Sequence, residues 1–97
     1  MITYIALMSF TDKGIAGIKD STKRAAAAKE AATKFGVRLR ELYWTLGTYD
    51  LVGVIEGDSE QAITAYALAI AAQGNVRTHS LRAFTAAEMD AILPKLP

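Results

Sequence analysis

The sequence predicts one α+β domain with the element order β-α-β-β-α-β, followed by a short C-terminal helix. Four segments rich in β-branched and aromatic residues predict strands, and two alanine-rich segments with helically spaced apolar residues predict helices between them. This order is that of the split-βαβ, ferredoxin-like motif, and right-handed crossovers then give a four-stranded antiparallel sheet with strand order 4-1-3-2. A length of 97 residues leaves room for a single domain, 1–97.

The first part of the chain predicts a strand, a loop and a helix. Residues 2–10 are almost entirely apolar, which is typical of a strand buried on both faces. Residues 11–21 hold two glycines and mixed polar groups, and they predict a long loop of the kind that is often functional in small domains. Ser21 is expected to cap a helix over 22–35, which Gly36 ends.

A β-hairpin is predicted next, because 37–45 and 49–56 both alternate and carry β-forming residues. With Leu46-Gly47 as a two-residue turn, Trp44 would pair with Tyr49, and Tyr43 with Asp50. The two pairs would then face opposite sides of the sheet. The first would share its side with Leu42, Leu51 and Ile55, and the second with Leu39, Val52 and Val54.

The last part of the chain predicts a helix over 59–72, a strand over 75–84 and a short helix up to about Leu93. Both helices are expected to begin with capping boxes, Asp58 with Gln61 and Thr85 with Glu88.

Composition predicts that the chain associates with itself. Apolar residues make up 52% of the sequence, and a domain this small can bury only a limited share of them alone. The predicted helices can shield one side of the sheet, although both sides carry apolar residues. We therefore expect a homodimer or a higher homo-oligomer.

Several classes of protein are disfavoured. Eleven Lys and Arg against ten Asp and Glu give a net charge of +1, which argues against a nucleic-acid partner. The absence of cysteine excludes disulfides and thiolate chemistry. No apolar run approaches the roughly 20 residues of a membrane span, and the N-terminus lacks signal-peptide features, so a cytoplasmic location is expected. No cofactor is predicted.

Three polar segments are expected to meet at one edge of the predicted sheet. These are 11–21, 44–50 and 74–79, which lie at the end of the first strand, in the hairpin and at the start of the fourth strand. Loops that converge on one edge of a rigid sheet are the usual place for a binding site.

Two ionisable residues at this edge allow a catalytic or a structural interpretation. His79 is the only histidine, and it could act as a base or a metal ligand, but with no second histidine and no cysteine we expect no metal. A strand histidine packed at an interface is the favoured interpretation. Asp50 could be a carboxylate acid or base in an apolar pocket, or a turn residue that accepts hydrogen bonds from loop amides or pairs with Arg77. For Asp50 we favour the structural role.

Further candidates could bind a ligand. Tyr43, Trp44 and Tyr49 could form an aromatic wall for a planar molecule, although aromatic hairpin residues are more often core or interface. Arg77, Lys19 and Arg82 could hold a carboxylate or phosphate, although isolated strand arginines are more often salt-bridged across an interface. Lys23 and Arg24 are expected to lie on a solvated helix face.

Three segments resemble the GYD-domain family: FTDKGIAGIKDS, YWTLGTYDLVGVIE and GNVRTHSLRAFT. The family takes its name from the residues that stand here as Gly47, Tyr49 and Asp50. The resemblance covers nearly the whole chain, and it implies a ferredoxin-like fold of the dimeric α/β-barrel type found in small bacterial proteins. It implies no particular activity.

Three functions remain open, in this order of preference. The first is a homo-oligomeric module that binds or senses a small, anionic or aromatic molecule. The second is a small cofactor-independent enzyme of the isomerase, decarboxylase or monooxygenase type, in which His79 or Asp50 transfers a proton. The third is a self-assembling structural protein.

Overall fold

A computed structural model describes residues 1–97 and has four strands and four α-helices. The strands are β1 (Ile2–Phe10), β2 (Val37–Trp44), β3 (Leu51–Gly57) and β4 (Val76–Ala83). The helices are α1 (Asp12–Ala16), α2 (Ser21–Ala32), α3 (Glu60–Ala72) and α4 (Ala86–Ile92). The strands form one antiparallel sheet in the order β2-β3-β1-β4, which is the predicted order read from the other edge. The predicted ferredoxin-like fold is therefore confirmed.

The core lies between one face of the sheet and the helices α2 and α3. β3 illustrates this arrangement: its residues alternate strictly between buried positions, which face the helices, and half-buried positions on the other face. The core consists of ten buried apolar residues contributed by three strands, the two helices and the first residue of β4: Ala6, Met8, Ala32, Val37, Leu39, Leu51, Ile55, Ile63, Tyr66 and Val76. Only 13 of the 97 residues are buried, so the core is small for the apolar content of the chain.

The opposite face of the sheet has no helix packed along it, and we call it the open face. Strand register sets its side chains in cross-strand rows. One row runs Tyr43, Val52, Leu7, His79, and the next runs Glu41, Val54, Ile5, Leu81. Both rows are apolar on the two central strands, and the edge strands add the polar Glu41 and His79 as well as Tyr43 and Leu81. Leu81 is 52% exposed and Tyr43 is 56% exposed.

The segment 11–21 is not the predicted loop. It contains α1 and a 3-10 turn over Ile18–Asp20. The Thr11 hydroxyl accepts a hydrogen bond from the Gly14 amide at 3.1 Å and so caps α1. The sequence did not predict this cap because the two glycines in the segment indicated a loop. Gly14 lies against the chain at Asn75, where a Cβ atom would overlap the carbonyl oxygen.

The predicted two-residue turn is also wrong. Tyr43 pairs with Val52 and Trp44 with Leu51, so a six-residue loop over 45–50 joins the strands. The Thr45 amide donates to the Asp50 carbonyl at 2.8 Å, and the Thr45 hydroxyl donates to the Tyr49 carbonyl at 2.6 Å; these bonds close the longer loop.

An irregularity in β2 changes the predicted position of Leu39. The register shifts between Leu39 and Glu41, so Arg40 is an extra residue in the strand. Leu39 therefore faces the helices beside Ile55 and is buried, although simple alternation placed it on the other face.

The helix boundaries differ from prediction in small ways. Ser21 is the first residue of α2 rather than its cap, and α2 ends at Ala32 before a 3-10 turn. Ser59, not Asp58, caps α3, with its hydroxyl 3.2 Å from the Ala62 amide. The capping box of Thr85 and Glu88 is confirmed. There the hydrogen bond from the Thr85 amide lowers the pKa of Glu88.

The C-terminal residues 84–97, which we call the arm, extend away from the rest of the domain. α4 makes few contacts outside the arm. The radius of gyration is 14.6 Å, against about 13 Å for a compact domain of similar size, and the longest dimension is 51 Å. The arm exposes four large apolar side chains: Phe84, Met89, Leu93 and Leu96.

Tyr66 should make the stability of the fold fall at alkaline pH. Its buried hydroxyl donates to the Ala28 carbonyl at 2.7 Å, and burial raises its pKa from 10.0 to about 12. Between these values the unfolded chain loses the phenol proton and the folded chain keeps it, so stability is lost as pH rises above about 10.

Tyr66→Phe tests this by urea unfolding across the alkaline range. Near neutral pH the variant should be less stable by about 0.5–1.5 kcal/mol, because the hydrogen bond is lost. The deficit should shrink as pH rises, since phenylalanine does not titrate. A deficit that stays constant with pH would contradict the assignment.

Candidate functional site

The three polar segments singled out in the sequence do meet at one edge of the sheet. The Thr11 amide donates to the Asn75 carbonyl at 3.0 Å, and the Thr11 hydroxyl donates to the Gly74 carbonyl. The Asp50 amide donates to the Met8 carbonyl at 2.8 Å. Backbone bonds therefore tie the end of β1 to the segment before β4 and to the loop before β3.

Asp50 is part of this tie. Its carboxylate oxygen Oδ2 accepts a hydrogen bond from the Phe10 amide at 2.8 Å, across 40 positions in the chain. It forms no ion pair with Arg77. The carboxylate thus holds two loops together, which matches the favoured structural interpretation from the sequence.

Tyr49, His79 and Arg77 lie on the open-face side of this edge. The rings of Tyr49 and His79 meet edge to face, with centroids 5.7 Å apart and planes at 66°. Arg77 lies two residues before His79 on the same side of β4, and its guanidinium forms no hydrogen bond or ion pair. Both β4 residues are exposed, so this cluster forms a surface rather than a pocket.

The aromatic residues of the hairpin do not form one wall. Tyr43 shares a row with His79 but lies three strands away, roughly 14 Å at about 4.8 Å per strand. Trp44 points to the helix side of the sheet. Tyr43, Trp44 and Leu46 are nevertheless all exposed, Leu46 completely, and we call residues 43–46 the hairpin tip.

The cationic candidates are also dispersed. Lys19 is exposed in the 3-10 turn and contacts none of the other candidates through a hydrogen bond or ion pair. Arg82 faces the helices, 3.5 Å from the Glu60 carboxylate and stacked on Phe84 at 4.4 Å. Arg82 is thus engaged in structural contacts and is not part of an anion site with Arg77.

The sequence interpretation missed a cavity between the helices and the sheet. Nineteen residues line it, 14 of them hydrophobic, and Arg24 lies among the few polar ones. Arg24 is half-buried rather than solvated, and its guanidinium donates to the Gly17 carbonyl at 2.7 Å and the Gly14 carbonyl at 3.2 Å. The signal available in the sequence was small residues on core-facing positions, notably Ala25, Ala28 and Ala67.

No cluster of three or more His, Asp or Glu side chains is arranged to hold a metal ion. None of the helices combines the length and apolar character that crossing a bilayer requires.

Removing the Asp50 carboxylate should loosen the edge. Asp50→Ala leaves the Phe10 amide unpaired and should lower the free energy of unfolding by about 1–3 kcal/mol. The control is Lys19→Ala, an exposed position whose side chain forms no hydrogen bond or ion pair and whose loss should cost less than about 0.5 kcal/mol. Urea unfolding measures the free energy of unfolding of both variants. Equal losses of stability in the two would contradict a structural role specific to Asp50.

Two comparisons with known sequences bear on the chain as a whole. A family model described as GYD domain matches residues 4–93. A protein of Thermus thermophilus, named glutamine synthetase and cystathionine beta-lyase binding protein, is 33% identical over 94 residues. The similarity covers 96% of this chain and 99% of that protein.

Solved structures share the fold. TTHA0845 from Thermus thermophilus is similar with a TM-score of 0.58 at 26% identity, over 89% of this chain and 96% of that one. The structure of FFRP-DM1 gives a TM-score of 0.62 at 21% identity, over 87% of this chain and 100% of that one. At that identity the likeness shows the fold alone. Because the family model spans most of the chain and the Thermus relative matches it nearly end to end, this chain belongs to the GYD-domain family.

Proposed function

We propose that this chain is a homo-oligomeric binding module in which two copies cover each other's open face and the assembled particle binds other proteins. The observation that carries the proposal is the uncovered sheet face, with Leu81 half exposed beside Ile5 and Val54. Apolar surface left in water costs about 25 cal/mol per Å². A second copy would remove that cost by covering this face with its own open face, because a two-fold interface is formed by the same patch on both subunits.

The arm supplies the rest of the interface. Four strands about 4.8 Å apart and about 25 Å long present roughly 500 Å² in projection, whereas stable interfaces bury about 800 Å² per partner. The arm adds exposed apolar side chains beyond the end of β4 and makes few contacts with its own domain. An extended apolar segment of this kind is suited to packing on a neighbouring subunit.

Charge on the open face also favours a second copy. Glu41 on the β2 margin and Arg77 on the β4 margin are both exposed, and neither has an ion-pair partner in its own chain. Opposite charges on opposite margins let a two-fold partner bring its β4 margin toward β2 of the first copy. Such complementarity mainly fixes orientation rather than affinity.

The hairpin tip is the proposed surface for other proteins. The Thermus relative is named for binding two enzymes, and the tip exposes Tyr43, Trp44 and Leu46 within four residues. Tyr43 lies on the open-face side and Trp44 on the helix side, so the tip exposes one aromatic residue on each side of the hairpin. Tyrosine and tryptophan are enriched at the positions that dominate binding energy in protein interfaces. Proton-transfer catalysis receives less support, because Asp50 is bonded to the Phe10 amide and makes no contact with His79.

Charge placed in an apolar row of the open face should separate the subunits. Leu81→Glu should sediment as single 10.4 kDa chains at concentrations where the wild type is at least a dimer, because two carboxylates would be desolvated at the interface. The matched control is Leu68→Glu on the outer side of α3, where a leucine is 65% exposed. A wild type that is monomeric, or a control that dissociates equally, would contradict the interface.

The protein-binding part of the proposal is tested separately. Purified glutamine synthetase and cystathionine beta-lyase from the source organism of this chain are titrated onto the immobilised oligomer, and surface plasmon resonance reports binding. Leu46→Glu should weaken binding by about tenfold or more, because it places an unpaired carboxylate in a contact that excludes water. Leu68→Glu should leave it unchanged. Absence of binding by either enzyme, with self-association intact, would refute recognition of these partners alone.

A further inference from the structure

The cavity beneath the helices is built to admit a ligand. It lies within one chain, between α2, α3 and the helix-facing side of the sheet. The centre of a water-sized sphere can move through about 80 Å³ of it, whereas one water needs about 10–15 Å³ on that measure. The space therefore suits an apolar group of roughly five to eight non-hydrogen atoms.

Small residues create this space. Ala25 and Ala28 face it from α2, Ala67 faces it from α3, and Ala6 lies beneath them on the sheet. Protein interiors are normally packed to crystal-like density, so a gap of this size lined by alanines departs from ordinary core construction.

One end of the cavity is polar and incompletely bonded. Arg24 lines it and uses two of its five N–H groups on the Gly14 and Gly17 carbonyls. No carboxylate pairs with it. Four further polar side chains line the cavity without a hydrogen bond in the protein: Ser21, Gln73, Asn75 and Thr78.

The walls away from that end offer no competing polar group. Tyr66 is the large polar residue on the helix side, and its hydroxyl is already bonded to the Ala28 carbonyl. The remaining wall is aliphatic or aromatic, with Leu42, Leu51, Ile55 and Ile70 among its members. The cavity therefore has two chemically different parts: an apolar chamber, and an end where the half-buried Arg24 guanidinium has no carboxylate partner.

We propose that this inner cavity binds a small amphipathic carboxylate, with a ring-sized apolar body in the chamber and the carboxylate on Arg24. A half-buried guanidinium without a counter-ion gains a charge-assisted hydrogen bond from such a ligand. A single arginine with neutral donors around it matches one carboxylate. The site is separate from the open face, although Trp44 of the hairpin tip lines it, and it stands whether or not the proposed function holds.

Trp44 gives a direct readout, because it is the only tryptophan and it lines the cavity. The full-length protein is titrated with phenylacetate and, as the uncharged counterpart of the same shape, phenylacetamide, and tryptophan fluorescence is followed. Phenylacetate should shift the emission saturably at millimolar concentration or below. The amide should bind about tenfold more weakly or worse, since it cannot form the ionic bond.

Paired variants locate the site. Ala67→Leu fills the chamber from α3 and should reduce phenylacetate affinity by about tenfold or more, whereas Ala65→Leu, exposed on the same helix, should leave it unchanged. Arg24→Gln should abolish the preference for carboxylate over amide, and Arg24→Lys should retain part of it. Because Arg24 also holds the α1 segment, circular dichroism checks that each variant is folded.

Three results would overturn the proposal. The first is no saturable emission change in the wild type. The second is equal affinity of Ala67→Leu and wild type. The third is loss of binding in a folded, monomeric Leu81→Glu variant, which would place the ligand between subunits instead of within one chain. Retained binding in that variant supports the intrachain site.

Discussion

The structure depends on the alternation of side chains in β1 and β3, the two central strands. Successive residues in a strand point to opposite faces, so a central strand with apolar residues at nearly every position has two faces that need cover. The β-α-β-β-α-β order places both long helices on one side. The small core and the open face both follow from that imbalance, because no helix covers the apolar side chains on the second face.

The helices cover their side loosely. α2 and α3 are rich in alanine, which favours helix and allows close approach to the sheet but fills little volume. Ala32 at one end of the layer packs with no exposed surface, while Ala25, Ala28 and Ala67 leave the inner cavity open. Alanine is thus fully packed in one part of the helix layer and borders a cavity in another.

Element order, sheet topology and the Thr85–Glu88 cap could be predicted because each follows from local pattern: alternation, helical spacing and capping chemistry. The six-residue loop before β3 could not, because it is fixed by tertiary bonds from Asp50 to Met8 and Phe10. The position of Leu39 depends on one extra residue in β2, which alternation alone does not reveal.

Arg24 looked like a surface residue because its partners are backbone carbonyls of a segment expected to be loop. Because Arg24 was assigned to the surface, the sequence located the edge where loops converge but not the cavity that Arg24 lines.

The extra residue in β2 also bears on how large an assembly can grow. β2 is an edge strand, and a regular edge strand can pair with a strand of another chain. If the free edge of that chain pairs in the same way, the sheet can extend without limit. The displaced Arg40, tied to Glu56 at 2.8 Å, and the charges of Arg38 and Glu41 interrupt that edge with bulky ionic groups. Lateral addition of strands along β2 is therefore discouraged. In the proposed dimer the contact runs through the open face, and each open face is used only once, which favours closed particles over fibres.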